Sequence, residues 1–463
     1  EDVYVTTSFR RKRLAVEVTV RNAAAEAAEV DLDLSVTRGG RTELRLPRAG
    51  GEVAPGGERV LRVEAAWADA VPWGRPPHGR GALYFLRAVL RRRGEPDPAD
   101  ARIVRFGFRE VWAEGDRVLL NGRELFLIGD HCLPYVYERQ WLTRKLAELT
   151  RANCTVVENH RFDPPEVAYD VADELGVCHV AGNFCAGACM APANLPEEEF
   201  RLVLEEYLRV TEHWVRRARN HPSILVWYAT CNWDARYYVP IARKIAELDR
   251  TRILEVTAPV HAGAKPAEHQ FDPAVAGVAT GYRYFLFGGT DDFQRALAAL
   301  RADRALPAGP VRIGEAGYFS KYEWPDEEPP PVLPGREELV RSLRRRGVWG
   351  FSTFCLIDMD RLPGQLYTRI EPKVTWPAQS GRDARIDPFG RNTPEAREKP
   401  VGLFLNWCDP AQPLCRTTPT WEYWRKLARE VLGGDAAPPA DARVPEVIVH
   451  VTRGGRPLAG ANV

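Results

Sequence analysis

The chain has 463 residues, with 64 Lys+Arg against 63 Asp+Glu and 45% hydrophobic residues. That is the composition of a globular protein with a large core, long enough for two to four domains at roughly 100–200 residues each. The charge balance excludes a general nucleic-acid binder, and no apolar run reaches the roughly 18 residues of a membrane-spanning helix.

The opening EDVYVTTSFRRKRL carries neither a starting Met nor the apolar stretch of a signal peptide. It reads as a piece of a longer or processed chain, so the compartment is left open. RLAVEVTVRN, AEVDLDLSVT and GERVLRVEAAW then alternate apolar and polar residues, the period of half-buried strands, with RGGR and APGGE as turns between them. ALYFLRAVLRR and ARIVRFGFREVWAEG add further strands. Residues 1–110 are therefore expected to form a small β-sandwich.

The pattern changes over residues 111–434. DRVLLNGRELFLIGDH predicts two strands around a tight Asn-Gly turn. Helical spacing follows in ERQWLTRKLAELTRAN, PPEVAYDVADELG, the stretch from Pro196 to Arg219 and YVPIARKIAELD, then at 291–304, 336–346 and 421–434. Eight strand-like runs begin near residues 125, 154, 177, 223, 252, 275, 311 and 348. Strand alternating with helix over about 300 residues is the pattern of a (β/α)8 TIM barrel. A doubly wound sheet is the alternative, but no Gly-rich phosphate loop is present. Residues 360–400 read as a long Pro/Gly/Arg-rich insertion beyond strand eight. Residues 435–463 read as a Pro/Ala linker and the start of a further β unit.

Barrel chemistry sits where strands end. Those positions carry Asp130 and His131 after strand one, Glu158 and His160 after strand two, and Asn183 after strand three. Asn232, Trp233 and Asp234 follow strand four; Tyr282 and Tyr284 lie on strand six, Glu315 on strand seven, Trp349 on strand eight and Asp358 after it. Acids and amides grip hydroxyls and rings stack on sugar faces, so the set suits a carbohydrate. Each residue also has a structural reading, and for any single Trp core packing is the commoner use. Glu315 is set apart by its apolar setting, VRIGEAGYF, because a buried carboxylate must be paired or used. Cys178, Cys185 and Cys189 lack the paired spacing of a structural zinc site, so free thiols are expected and no metal or cofactor.

RNHPSILVWYATCN resembles the strand-four region of glycoside hydrolase family two, and PVRIGEAGYFS is similar to that family's nucleophile segment. VAYDVADELGVCHV, FGFREV and LLNGRELFLIGDH resemble its third-strand region and the link from its immunoglobulin-like domain into the barrel. NFCAGACMAPANLPEEEF and IGDHCLPYV are similar to loops of the β-mannosidase type. The resemblance covers residues of about 1–432. It implies an immunoglobulin-like sandwich, a TIM barrel and a retaining exo-β-glycosidase on mannosides or galactosides, with Glu315 as nucleophile and a second carboxyl about 5–5.5 Å away.

The chain departs from the family at that second carboxyl. Asn232 or Trp233 stands where the acid/base Glu is expected, leaving Asp234 or Glu158 as candidate proton donors. The family's strand-two Arg also has no counterpart, since Val157 or Glu158 occupies its region. Two readings follow: a glycosidase with a relocated donor, or a catalytically silent carbohydrate-binding or scaffold barrel. A sugar is the expected partner in both, with neither nucleic acid nor membrane. A homo-oligomer is compatible with either.

Overall fold

A computed structural model describes residues 1–130, 139–158, 164–182, 195–229, 235–257, 279–286, 309–318, 348–354, 404–405, 416–417, 419–434, 452–453 and 456–457. Eight strands come first: β1 (Asp2–Ser8), β2 (Arg13–Arg21), β3 (Ala28–Arg38), β4 (Arg41–Arg45), β5 (Ala49–Val53), β6 (Glu58–Ala66), β7 (Tyr84–Arg92) and β8 (Pro98–Phe106). They form two antiparallel sheets, β1-β2-β6 and β4-β3-β7-β8, with β5 also paired to β3. The alternation seen in the sequence sorts the residues. Leu14, Val16, Val18 and Val20 of β2 and Val30, Leu32, Leu34 and Val36 of β3 enter one shared apolar core. Trp67 closes it, edge-on to Tyr84 at 4.7 Å.

A small antiparallel sheet follows, built from β9 (Val111–Glu114), β10 (Arg117–Leu120) and β11 (Arg123–Glu124). Its turn is the expected Asn-Gly pair: Asn121 and Gly122 take φ of 51° and 80°. Two successive positive φ values are what a tight hairpin turn requires.

Eight parallel strands then close on themselves: β12 (Leu127–Asp130), β13 (Val156–Glu158), β14 (Cys178–Gly182), β15 (Ile224–Tyr228), β16 (Ile253–Thr257), β17 (Gly281–Leu286), β18 (Val311–Tyr318) and β19 (Val348–Phe354). Closure is direct, with Leu127 opposite Gly350 and Asp130 opposite Thr353. Helices α1 (Arg139–Arg151), α2 (Glu166–Leu175), α3 (Glu197–Ala218) and α4 (Ala235–Leu248) follow the first four strands, and α5 (Pro419–Leu432) comes after the last. Their inner faces and the outward residues of the strands share one core, including Leu146, Tyr169, Trp214, Trp227, Ile313 and Trp424. Trp214 meets Trp227 edge-on at 4.8 Å, so these Trp residues serve packing. The expected helices at 291–304 and 336–346 and the insertion at 360–400 lie outside the described residues. Two short antiparallel pairs complete the description: Phe404–Leu405 with Arg416–Thr417, and Thr452–Arg453 with Arg456–Pro457.

One glycine is required by strand packing. A Cβ on Gly129 would lie 1.9 Å from the Val156 carbonyl oxygen. Gly129→Ala is expected to abolish soluble folding or to lower Tm by more than 10 °C. A thermal melt within 2 °C of the parent would show that the two strands do not approach this closely.

The sandwich is fastened to the barrel by a buried polar seam centred on residues 219–224. The Asn220 amide accepts from Val5 N at 2.9 Å and donates to Val3 O at 2.8 Å, so it pairs with the outer edge of β1 as a neighbouring strand would. Arg219 lies over the Tyr4 ring at 4.0 Å and pairs with Asp2. His221 Nδ1 donates to Asp173 at 2.7 Å, and Ser223 N donates to the same carboxylate at 2.9 Å. Arg109, reaching in from the sandwich side, donates to the carbonyls of Pro222, Ile224 and Thr251. Asp249 accepts from Tyr4 Oη at 2.7 Å and from Trp227 Nε1 at 2.8 Å, and it pairs with Arg252.

Burial alone would raise the carboxyls of Asp173 and Asp249. His221 and Arg105 beside the first and Arg252 beside the second outweigh it, with backbone and side-chain donors, and both are held below the usual range. Depressed carboxyls stabilise the fold above their unfolded value of about 3.9, and this stability is lost as pH falls through the folded values. Tm is therefore expected to be flat from pH 7 to about 5 and to fall steeply below pH 4. Replacing Asp173 by Asn should flatten the acid limb, and an unchanged limb would remove Asp173 from it.

Candidate active site

All eight strands run in one direction, so their C-terminal ends share one barrel face. Inside the barrel lies a cluster of charged side chains with no exposure to solvent. Arg312 of β18 donates from Nε to both carboxylate oxygens of Glu255 on β16, at 3.0 and 3.1 Å, and from Nη2 to Glu255 Oε2 at 2.8 Å. Its Nη1 donates to Glu158 Oε2 on β13 and to Ser352 Oγ on β19, both at 2.9 Å. Arg312, Glu158, Glu255 and Ser352 are each fully buried. Charge-assisted bonds of this kind are the form in which a buried ion becomes tolerable.

Glu315 follows on β18, three residues after Arg312. The strand is irregular there. Against β17, Tyr284 faces Ile313 and the next residue, Phe285, faces Glu315, so Gly314 is passed over. Against β19 the register also shifts between Ile313 and Ala316. An extra residue in one strand is a β-bulge, a feature found beside active sites because it re-aims a side chain.

The other expected site residues divide into three groups. Asp130 ends β12, and Tyr282 and Tyr284 lie on β17, so the backbone brings them to the same barrel. His131, His160, Asn183, Asn232, Trp233, Asp234 and Asp358 lie outside the described residues. Trp349 is a correction to the expected sugar-binding set. It is 3% exposed and packs with Trp73, Leu127, Val156 and Cys178. Its neighbour Gly350 pairs with Leu127, the first residue of β12, which puts Trp349 at the strand beginnings. Burial among apolar side chains, rather than a rim position, explains this Trp.

Glu158, expected as a possible proton donor, is instead held by Arg312. Glu255, Arg312 and Ser352 were not among the expected residues. The signal for the first two was present: each is a charged residue inside an apolar strand run, RILEVTAP and VRIGEAG, where an ion demands a partner. Ser352 gave no such signal.

Outside the barrel, Asp170, Asp173 and His221 bring ligand-type atoms within 4.8 Å of one another. Arg105 already supplies the counter-charge there, bonding Asp170, Asp173 at 3.2 Å and Glu174 at 2.7 Å. This group belongs to the seam between sandwich and barrel.

The fold is a two-layer sandwich leading into a closed parallel barrel, with acids carried by the barrel strands. No protein-family model matches the chain. Among curated proteins, 135 residues are 28% identical to a protein of Formosa agariphila provisionally named a β-glucuronidase; the match spans 28% of this chain and only 13% of that relative. A β-galacturonidase of glycoside hydrolase family two from Eisenbergiella tayi superposes with a TM-score of 0.66 at 17% identity, over 94% of this chain and 73% of that one. A Bacteroides uniformis β-glucuronidase gives 0.58 at 16% identity, over 77% and 46%. These likenesses bear out the resemblance to glycoside hydrolase family two that the strand-four and strand-seven runs carry.

Proposed function

We propose that this chain is a retaining exo-β-glycosidase in which Glu315 is the nucleophile and Asp234 the proton donor. The observation that supports the reading is the place of Glu315 in the chain, on the bulged stretch of β18 three residues after Arg312 of the Glu158–Arg312–Glu255 cluster. In the first step the Glu315 carboxylate bonds to the anomeric carbon as the glycosidic C–O bond breaks. The leaving oxygen keeps that electron pair and takes a proton from the acid. In the second step water, deprotonated by the same residue, attacks the anomeric carbon and releases Glu315.

Of the two candidate donors, Glu158 is the one the geometry disfavours. Glu158 has its Oε2 committed to Arg312 and is closed off from solvent. An acid that must exchange protons with substrate and water needs access that Glu158 lacks. Asp234 follows β15 in the chain by six residues, and the segments after barrel strands are where such folds carry chemistry. The names of the similar proteins favour β-glucuronides and β-galacturonides as first substrates, alongside the mannosides and galactosides that the family resemblance implies.

Asp234→Ala is expected to lower kcat/KM about 10²–10⁴-fold for alkyl or phenyl glycosides, the scale of general acid catalysis. It should lower it less than tenfold for 2,4-dinitrophenyl glycosides, which need little protonation. Equal losses would remove Asp234 from the donor role. The second reading, a silent sugar-binding barrel, is favoured by Asn232 and Trp233 standing where the donor is expected. Sugar binding by calorimetry, with no hydrolysis across the aryl glycoside panel, would establish it.

A further inference from the structure

We propose that Glu158, Arg312 and Glu255 form a bracing cluster that holds the bulge carrying Glu315, so that Glu158 acts as a positioning residue. The proposal rests on the reading of Glu315 as nucleophile.

Arg312 reaches strands that are not its neighbours. Around the ring, β18 borders β17 and β19, whereas β13 and β16 lie two or more strands away. Its bonds to Glu158 and Glu255 therefore cross the barrel interior and tie β13, β16, β18 and β19 at one level. Val311 and Ile313 belong to the outer core shared with the helices. In a regular strand, residue 315 would keep the phase of 311 and 313, because side chains alternate with period two. The pairing passes over Gly314, so the backbone of β18 leaves that regular alternation just before residue 315.

A bulge gives up ladder hydrogen bonds where it occurs and needs firm anchoring on its flanks. Arg312 is the anchor on the near side, two residues before Gly314. Two carboxylates face its one guanidinium, so the three side chains are interdependent. Neutralising Glu158 weakens one of the two bonds from Nη1, leaving Ser352 as its other partner, and loosens the strand. Removing Arg312 brings two buried carboxylates together with no cation from β18. The cluster is charged and fully buried, and Arg312 stands three residues before Glu315 in the same strand, so neutralising Glu158 is expected to be felt in the pH dependence of the reaction.

The test compares the wild type with Glu158→Gln and Ser352→Ala, using 2-deoxy-2-fluoro-β-glucuronosyl and -galactosyl fluorides as labels for Glu315 and a series of aryl glycosides for turnover. The wild type should label at Glu315. Glu158→Gln should label at least about 30-fold more slowly, with the acid limb of its pH–rate profile displaced and good and poor leaving groups slowed alike. Ser352→Ala removes one bond from Nη1 without changing charge, and it should slow labelling about 3–10-fold with the acid limb unmoved. It carries the test if Glu158→Gln fails to fold.

Labelling at the wild-type rate with an unmoved acid limb in Glu158→Gln, or at the wild-type rate in Ser352→Ala, would overturn the bracing role while leaving Glu315 as nucleophile. Selective loss on poor leaving groups, with azide restoring turnover in Glu158→Ala, would make Glu158 the donor and overturn it differently. Failure of the wild type to label at Glu315, despite turnover, would remove the nucleophile assignment and the proposal with it.

Discussion

Glu315→Gln is expected to lower kcat on every aryl β-glycoside at least about 10³-fold, the scale of losing a covalent nucleophile. Tm should stay within about 2 °C, because Gln keeps the volume and the amide can still accept a hydrogen bond. The contrast between lost turnover and retained fold separates chemistry from packing. Binding should survive, so calorimetry with a sugar that binds the parent should show a Kd within a few-fold. A variant that retains more than about a tenth of wild-type turnover would show that the reaction does not pass through Glu315. Intact-mass analysis of the parent after brief exposure to a 2-fluoro glycosyl fluoride, followed by peptide mapping, gives the same answer from the other side, as a single added glycosyl group that maps to the β18 peptide.

Asp249→Ala is expected to have the largest effect on stability. The side chain accepts from Tyr4, Trp227 and Thr251 and pairs with Arg252. Its removal leaves Arg252 buried beside Arg109, whose guanidinium is already lowered to about 9 by burial and by Arg252 itself. Breaking one side of a buried ion pair costs about 3–5 kcal/mol. At roughly 2–4 °C per kcal/mol for larger domains, Tm should drop by roughly 6–20 °C. The melt should also lose cooperativity between sandwich and barrel, because Asp249 joins Tyr4 of the first strand to Trp227 of the barrel. Glu206→Ala, which removes only the exposed partner of Arg209 on α3, should leave Tm unchanged within about 1 °C. A small shift for Asp249→Ala would mean that the seam is wet and the two cations are solvated.

The strand runs were legible because barrel strands are short, apolar and bounded. Seven of the eight expected starts fall within two residues of the observed ones. The sixth was placed near 275, whereas β17 begins at Gly281. The small-residue run AVAGVAT is apolar enough to read as strand, yet ladder pairing starts only with the aromatic GYRYFL, whose side chains suit a pleated surface. The Asn-Gly turn was legible for a conformational reason, since few other pairs accept two positive φ values.

The site was legible in part. Glu315 is legible because a carboxylate in an apolar strand must be paired or used, and Arg312 and Glu255 carry the same mark. Their mutual pairing was not readable, because it depends on which strands face each other across a closed ring. Glu158 looked like a free acid at a strand end for the same reason: the sequence shows the charge but not the guanidinium that holds it. Trp349 was read as a sugar platform from its residue type, but its level along β19 decides its role, and level is set by the pairing with β12.

The six residues Arg219 to Ile224 carry the most specific part of the family likeness, and in the structure each makes contacts of the sandwich–barrel seam. None of these contacts involves a reacting group. Recognition and competence are therefore written in different places along this chain. A search keyed to that run would gather proteins by how their domains are joined and would be blind to whether they turn over substrate. A chain could exchange its acid, as the strand-four Asn232–Trp233–Asp234 run implies here, and still be sorted with its active cousins. Grouping such chains by the residues after β15 and around β18, rather than by the joint, would separate working enzymes from inherited scaffolds.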